Sequence, residues 1–280
     1  MRGKLKSRAR PWMWPFGGTL YPMLPVKDGL EIVDGWSRYF NEAGLSDFGE
    51  LWGSERLKIF KKKADRDICT MELCGETLFV KRYHKDKRWP FFWLRPEGSK
   101  VEWSGASILK EAGLKTFDPV AAGSDVSGRS IVVMTKVAGV RINDFLARDI
   151  PFDHKARVVS RLAHFAARFH SLGLSHQDFY LCHLFWDEQQ DGHVSVVDLQ
   201  RLRRAEPIVI SWLIKDIAQL AYSSKAVLSA GEWDKLSRIF WDIYTARLPE
   251  CGSKGIVARI EKKVLQIARH DYKLKSRASQ

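Results

Sequence analysis

The stretch that decides the fold is His176–His183, which reads HQDFYLCH. It is a short polar loop that runs into an apolar strand at Leu184–Trp186, and after a turn a second apolar strand follows at Val194–Val197. The loop carries one carboxylate, Asp178, and the second strand delivers another, Asp198. The sequence therefore predicts a loop and a hairpin that together present two carboxylates.

Two carboxylates of this kind suit phosphoryl transfer, in which the protein has little covalent work to do. One orients the attacking hydroxyl, and the other holds magnesium on the phosphates. The protein-kinase catalytic loop reads H-R-D, with a metal ligand five residues after the Asp and an Asp-Phe-Gly downstream. Here the residue five positions after Asp178 is His183, and the downstream carboxylate is Asp198. The spacing matches that of kinases, but the residue type at His183 does not.

Three segments share a more specific pattern. They are His-x-Asp-x-Tyr-x-Cys-His at 176–183, Val-x-Asp-Leu-x-Arg at 196–201 and Lys-Asp-Ile-Ala at 215–218. Together they resemble the Kdo/WaaP lipopolysaccharide kinase family, in which a His stands where protein kinases place Asn. The resemblance is densest over residues 176–224 and extends from about residue 55 to 247. It implies ATP as phosphoryl donor and, as acceptor, a heptose or 3-deoxy-manno-octulosonic acid of the lipopolysaccharide inner core.

The resemblance also implies roles for single residues of the loop. Asp178 is expected to be the general base or hydroxyl-orienting group, and Asp198 the principal ligand of Mg²⁺. His183 either ligates the metal or contacts phosphate, and as a softer ligand it leans towards Mn²⁺ tolerance. His176 is expected to brace the loop. Asp216 is expected to accept hydrogen bonds from the loop backbone, although as a lone Asp near a helix start it would also suit a cap.

Upstream, strand character at Thr77–Arg82 resembles the kinase strand whose Lys, here Lys81, holds the α- and β-phosphates. The helix predicted over Ser99–Glu111 offers Glu102 as the partner of that ammonium. Alternatively, Ser99 caps the helix and Glu102 completes a capping box. Glu111 is the competing partner, but it lies at the far end of the helix.

The strand Ile131–Met134 leads into Thr135–Gly139, which resembles the hinge between kinase lobes, so Thr135 and Val137 are expected to contact adenine. A glycine-rich phosphate loop is missing, because the turn at Lys61–Asp67 is highly charged. Side-chain cations or a looser cover would replace it, unless the turn is simply solvated.

The predicted fold class is α+β, a two-lobed protein-kinase-like fold with a small N-terminal sheet lobe and a larger, mainly helical C-terminal lobe. The expected divisions are an N-terminal basic and aromatic segment, 1–35, an N-terminal lobe, 36–134, and a C-terminal lobe, 135–280. Besides Thr77–Arg82, strands are predicted at 57–60 and 69–73. Helices are predicted at His154–Leu172, which Gly173 ends, and at Trp212–Ser223 and Trp233–Arg247.

The net charge of +13 implies an acidic partner, either nucleic acid, an anionic membrane or a phosphorylated ligand. The sequence lacks basic–aromatic strands of a recognised nucleic-acid-binding type, so no nucleic-acid partner is expected. Basic residues and aromatics before residue 26 suit an anionic membrane surface, or a tail that packs on the domain. Four scattered cysteines and no apolar run of about 20 residues predict a cytoplasmic protein that is soluble or peripheral. The resemblance implies that it is peripheral on the inner face of the inner membrane.

The substrate argument depends on length. Only Leu199–Lys215 separates Asp198 from Asp216, and it contains no Ala-Pro-Glu. Protein kinases use this region for an activation segment and a peptide platform, so its shortness favours a compact sugar acceptor. The resemblance implies that the acceptor is a lipopolysaccharide core or other anionic glycolipid. Three alternatives stay open: another small-molecule kinase, a membrane-associated pseudokinase or adaptor, and a protein kinase.

Overall fold

The computed structural model describes residues 29–84, 98–189 and 192–278. The N-terminal lobe is built on a six-stranded antiparallel sheet with the order β1-β5-β6-β4-β3-β2. Three helices accompany it. The strands are β1 Gly29–Ile32, β2 Lys58–Lys62, β3 Arg66–Leu73, β4 Glu76–Tyr83, β5 Pro119–Ser124 and β6 Ser130–Thr135, and the helices are α1 Asp34–Glu42, α2 Phe48–Gly53 and α3 Gly98–Glu111.

Side chains alternate across this sheet, as the two-residue period of a strand requires. In β4, Leu78 and Val80 join a core cluster with buried residues of α1 and α2. In β6, Val132 and Met134 point the other way, into the core cluster that continues into the C-terminal lobe. Lys81 falls on this second face, one residue after Val80, so the alternation alone aims its side chain at the junction between the lobes.

The N-terminal lobe begins earlier than predicted. Strand β1 pairs with β5 through Gly29–Ser124 to Ile32–Ala121, so its residues belong to the sheet and not to a separate segment ending at residue 35. The predicted strands at 57–60, 69–73 and 77–82 correspond to β2, β3 and β4. The basic and aromatic tail through residue 28, with its expected membrane contact, lies outside the described residues.

The C-terminal lobe is mainly helical, and α5 packs one apolar face into its core. The predicted helices correspond to α5, α6 and α7, each of which begins two or three residues earlier than predicted, and a long fourth helix, α8, follows. Among the residues described, no helix is both long and apolar enough to cross a bilayer. The elements are β7 Val140–Arg141, α4 Ile142–Leu146, α5 Phe152–Ser171, β8 Leu174–Ser175, β9 Leu184–Asp187, β10 His193–Val196, β11 Arg203–Arg204, α6 Ile210–Lys225, α7 Ala230–Arg247 and α8 Lys254–Ala278.

Two glycines end the helices that precede the site. Gly113 has a φ of +67° after α3, and the N–H of Leu114 reaches the carbonyl of Leu109, which is the Schellman arrangement. Gly173 has a φ of +73° after α5, and its own carbonyl accepts from the N–H of Ala205. The predicted helix ends are confirmed, and the second one turns the chain directly into the His176–His183 loop.

A third glycine, Gly139, allows β7 to pair with β9 beside that loop. Its φ is +87°, and a Cβ there would lie 2.1 Å from the carbonyl oxygen of Trp186. We predict that Gly139→Ala lowers the free energy of unfolding by about 2 kcal/mol or more, because backbone strain and a backbone collision add. Gly231→Ala, in α7 with nothing within 4 Å, is the control and should be neutral or stabilising by about 0.4–1 kcal/mol. Urea unfolding of both variants measures this, and equal stabilities would contradict it.

Candidate active site

The site is centred on a buried ion-pair network that joins three separate elements. The Lys81 ammonium of β4 contacts Glu102 Oε1 of α3 and lies 2.9 Å from Asp198 Oδ1. Glu102 is fully buried, and Lys81 is 7% exposed. Burial would lower the pKa of Lys81, but the two carboxylates raise it above its ordinary value. The side chain is therefore a fixed cation at neutral pH.

Glu102 is the acidic partner of Lys81, and the capping interpretation of this residue is wrong. Helix α3 extends to Gly98, so Ser99 lies inside it, buried, with a hydroxyl that has no partner among the described residues. Glu102 instead uses its second oxygen, Oε2, to accept the backbone N–H of Leu199 at 3.1 Å. One helical carboxylate thus fixes both Lys81 and the segment that follows Asp198.

Asp198 is held in an unusual conformation. Its φ and ψ of 65° and 58° lie in the left-handed region, which costs a residue other than glycine about 1–3 kcal/mol. Burial would raise the pKa of Asp198, but the charge and hydrogen bond of Lys81, and then the charge of His183, hold it below its ordinary range. Gln200 Nε2 donates to the same oxygen, Oδ1, at 2.6 Å. Asp198 is therefore an ionised carboxylate that its neighbours hold in a strained position.

The His176–His183 loop is attached to one face of α6. Both oxygens of the fully buried Asp216 accept backbone N–H groups, from His176 at 2.7 Å and from Gln177 at 2.8 Å. These are the contacts that the resemblance led us to expect. One turn further, Gln219 Oε1 accepts the N–H of Phe179 at 2.9 Å, and after another turn Ser223 Oγ accepts the N–H of Leu181 at 3.0 Å.

Three side chains of α6 support the loop, and the sequence motifs predict only one of them, Asp216. Asp216, Gln219 and Ser223 stand at i, i+3 and i+7, so they lie on one face of an otherwise apolar helix. That spacing was a usable signal for Gln219 and Ser223. His170, also fully buried, completes the support, since its ring nitrogens contact Tyr244 Oη at 2.7 Å and Asp216 Oδ2 at 3.4 Å.

His176 lies under the catalytic loop and contacts the strand that leads to Asp198. Its Nε2 donates to the carbonyl of Val197 at 2.9 Å, and its Nδ1 is buried without a partner. Burial lowers the pKa of His176, which leaves a neutral ring with the proton on Nε2. His176 therefore joins the loop to the strand that leads to Asp198 through this hydrogen bond.

Asp178, His183 and Asp198 converge, and their ligand atoms all lie within 4.8 Å of one another. His183 Nδ1 lies 2.7 Å from the backbone carbonyl of Asp178, so Nδ1 carries the proton. Nε2 points to Asp198 Oδ2, 3.6 Å away. The hydrogen bond from Nδ1 to a backbone carbonyl is the second-sphere contact that orients ligating histidines, and it leaves Nε2 as the atom that would face a metal ion.

These three residues fit a divalent cation. Two carboxylates supply the oxygen ligands that Mg²⁺ prefers, and the imidazole adds a ligand that Mn²⁺ accepts readily. Asp198 is ionised without any metal, so binding requires no carboxylate deprotonation there. His183 is different, because a cation at Nε2 has to compete with a proton.

The residues predicted to contact adenine, Thr135 and Val137, and the charged turn after β2 lie in different parts of the structure. Thr135 ends β6, and its hydroxyl accepts the N–H of Asp118 at 2.9 Å, while Val137 packs on the C-terminal core from the segment between the lobes. The turn between β2 and β3 is shorter than predicted, running from Lys63 to Asp65. Burial and the charge of Arg66 lower the pKa of Lys63, whereas the charge of Asp198 raises it, so this lysine lies within electrostatic reach of the Asp198 carboxylate.

The fold has two lobes, a lysine of the sheet is paired with a glutamate of a helix, and two carboxylates lie at the junction. This combination defines a kinase-like phosphotransferase. Comparison with known proteins agrees. The sequence model of the lipopolysaccharide kinase (Kdo/WaaP) family matches residues 69–240. The lipopolysaccharide core heptose(I) kinase WaaP of Pseudomonas aeruginosa is 26% identical over 188 residues, which is 60% of this chain and 70% of that protein. The heptose(I) kinase WaaP of Escherichia coli K12 is 23% identical over 190 residues, 60% of this chain and 71% of that protein.

A solved structure of WaaP in complex with acyl carrier protein superposes with a TM-score of 0.66 at 25% identity, covering 85% of this chain and 98% of that one. The chain belongs to the lipopolysaccharide kinase (Kdo/WaaP) family. It is a phosphotransferase with an alcohol group as acceptor, in the protein-kinase-like fold predicted from the sequence.

The state of His183 yields a pH prediction. Burial would lower its pKa, but the side chain of Cys182, the carbonyl of Asp178 and the carboxylate of Asp198 raise it to about 9. If Nε2 ligates the metal, binding must expel this proton. Mn²⁺ affinity should then rise from pH 7 to about 9, with about one proton released per ion, and level off above.

Calorimetry of Mn²⁺ binding in buffers of different ionisation enthalpy counts the released protons. His183→Asn, which installs the protein-kinase residue, should abolish the release. The alternative role gives the opposite sign: an imidazolium that contacts phosphate would leave Mn²⁺ binding independent of pH and weaken ATP binding as the pH rises through about 9.

Proposed function

We propose that this chain transfers the γ-phosphoryl group of ATP to a heptose hydroxyl of the lipopolysaccharide inner core. The observation that carries the proposal is the Lys81–Glu102–Asp198 network facing Asp178 and His183. Family membership supplies the acceptor class, and the relatives named as heptose(I) kinases favour heptose over 3-deoxy-manno-octulosonic acid.

In this proposal, the network on the N-terminal side of the junction binds the donor. Lys81 contacts the α- and β-phosphates, because its ammonium is already fixed by Glu102 and pairs with Asp198. Thr135 and Val137 flank the adenine in the segment between the lobes. Mg²⁺, when bound through Asp198 and His183, supplies neutralisation of the charge on the phosphates.

Asp178 acts on the acceptor. The contacts run from Lys81 to Asp198, then to His183, and end at Asp178. The side chain of Asp178 is 31% exposed. It orients the sugar hydroxyl and accepts its proton as the phosphoryl group transfers. Behind it, the Asp216–Gln219–Ser223 stripe holds the loop backbone, so the carboxylate is pre-positioned before substrates bind.

The shape of the acceptor side supports a compact sugar over a protein substrate. Between Asp198 and α6 the chain forms only a short 3-10 turn at Leu199–Arg201 and the two-residue strand β11. Both strands of the small β8–β11 sheet are two residues long, so little surface is available for aligning a peptide. The same site also suits another small-molecule hydroxyl. An adaptor without activity is disfavoured, because the full ion-pair network and both carboxylates are in place.

We also propose that the protein works at the anionic inner face of the inner membrane, where a lipid-linked core acceptor is presented. The net charge of +13 supports this location, as do the five cations at Arg2, Lys4, Lys6, Arg8 and Arg10, which precede an aromatic cluster.

The two carboxylates give a prediction that tests the proposed roles. Asp178→Asn should lower single-turnover phosphorylation of a heptose-containing core oligosaccharide by about 10²–10⁴-fold, because it removes the base, and should leave ATP affinity nearly unchanged. Asp198→Asn should impair metal-dependent ATP binding as well as turnover, and raised metal concentration should recover part of the loss. Both variants keep the side-chain volume, so circular dichroism should report intact folds. Near-normal turnover in Asp178→Asn, or identical metal dependence in the two variants, would show the roles to be wrong.

The membrane location gives a separate prediction. Replacing the five N-terminal cations by Gln should weaken binding to phosphatidylserine-containing vesicles by at least about tenfold, because each basic residue near an anionic surface contributes about 1 kcal/mol. Vesicle sedimentation at two salt concentrations measures this. The matched control makes the same charge change on exposed positions of α8: Lys254, Arg259, Lys262, Arg269 and Lys273. An equal loss in both variants would show that only the overall charge matters.

A further inference from the structure

Three cations lie on the acceptor side of Asp178, and the donor network does not use them. Arg201 ends the short turn after Asp198, Arg203 lies in β11, and Lys215 lies in the first turns of α6, one residue before Asp216. All three belong to the C-terminal lobe, whereas Lys81 and Lys63 reach the site from the N-terminal lobe. The three cations therefore form a group separate from the donor network.

Local contacts hold two of these cations in position. Lys215 is half-buried, and its ammonium lies 3.4 Å from Oε1 of Gln177, the loop residue before Asp178. Gln177 has a φ of +64°, and its Nε2 is bonded to Ser175 Oγ, which fixes the amide. The guanidinium of Arg203 stacks 5.1 Å above the ring of Trp212. The charges of Arg201 and Arg203 both act on the Lys215 ammonium, so the three cations lie near one another.

The cluster has little negative charge of its own. In the described part of the chain, the one carboxylate within 4.0 Å of any of these cations is Asp178, whose Oδ1 lies 4.0 Å from Arg201 Nη1. Asp216, next to Lys215, is committed to the loop backbone. Burial and then the charge of Arg201 lower the pKa of Lys215, and although the charges of Asp216 and Asp178 raise it, the charge of Arg203 adds to the lowering and the net shift is downward. Cations that oppose one another in this way are typical of a site that binds an anion.

We propose that Arg201, Arg203 and Lys215 bind an oxyanion of the acceptor, a carboxylate or a phosphate, next to the hydroxyl that Asp178 activates. The inference rests on the proposed function and narrows its substrate to an acidic oligosaccharide. Guanidinium groups match the two oxygens of such an anion. Binding of the anion would also draw Arg201 away from Asp178. The Asp178 carboxylate would then be free to accept the proton of the hydroxyl only when the acidic acceptor is present.

The experiment measures the KM for the acceptor and the KM for ATP separately, in the full-length protein. Three core oligosaccharides serve as acceptors: the unmodified one, one whose sugar carboxylates are reduced to alcohols, and one that has been dephosphorylated. The variants are Arg201→Gln, which is mostly exposed and safe for the fold, and Lys215→Gln. Arg161→Gln, an exposed position of α5, is the charge-matched control.

For the wild type, we expect at least one modified acceptor to show a KM raised about 10-fold or more, and the identity of that acceptor tells carboxylate from phosphate. Arg201→Gln and Lys215→Gln should raise the KM for the unmodified acceptor by a similar factor, lose the discrimination between acceptors and keep the KM for ATP within about twofold. Arg161→Gln should behave as wild type.

Two outcomes overturn the inference alone. Wild-type protein that phosphorylates all three acceptors with equal KM recognises no acceptor anion, and variants whose KM for ATP rises instead place the cluster on the γ-phosphate. Absence of turnover with every acceptor would overturn the proposed function itself, and this inference with it.

Discussion

The site depends on one buried interaction, the contact of the Lys81 ammonium with the carboxylates of Glu102 and Asp198. Moving these charges out of water is unfavourable, and removal of one partner of such a pair typically costs about 3–5 kcal/mol, because the other charge is left buried and uncompensated. The three residues come from the sheet, from α3 and from the chain after β10. Satisfying their charges therefore requires all three elements to be in place at once, and this couples the arrangement of the two lobes to the state of the site.

The strain at Asp198 follows from that constraint. A left-handed conformation is unfavourable for an aspartate, yet it directs one carboxylate oxygen to Lys81 and the other to His183. Two neighbours maintain it: the N–H of Leu199 bonded to Glu102, and the side-chain amide of Gln200. The glycine of a kinase Asp-Phe-Gly is absent, and Gln200 stands in its place. Hydrogen bonds made by the side chains of Glu102 and Gln200 thus stabilise the left-handed conformation of Asp198.

The sequence predicted those parts of the fold in which the local residue pattern favours the same structure as the tertiary contacts. The loop motif, the Lys81 strand, the Gly113 and Gly173 helix ends and helix α5 are all confirmed by the structure. Strand β5 was not predicted, because PVAAGS is poor in β-branched and aromatic residues and forms a strand only through pairing on both sides. Glu102 shows the limit of local reasoning. Its spacing from Ser99 fits a capping box equally well, and only the position of Lys81 on the neighbouring strand β4 decides between the two interpretations.

The missing glycine-rich loop has a physical explanation in the distribution of charge. Glycines allow backbone N–H groups to approach phosphates closely, and this chain has instead a short turn with Lys63, whose charge reaches Asp198, and the neighbouring Arg66. On the opposite side of the carboxylates, Arg201 and Lys215 provide a second set of cations. The proposed reaction would bring a nucleoside triphosphate and an acidic oligosaccharide together, and their mutual repulsion would have to be offset on both sides of the transferred group. Under that proposal, side-chain cations on both sides of the carboxylates would offset the repulsion directly, where the backbone dipoles of a glycine-rich loop would do so only on the donor side.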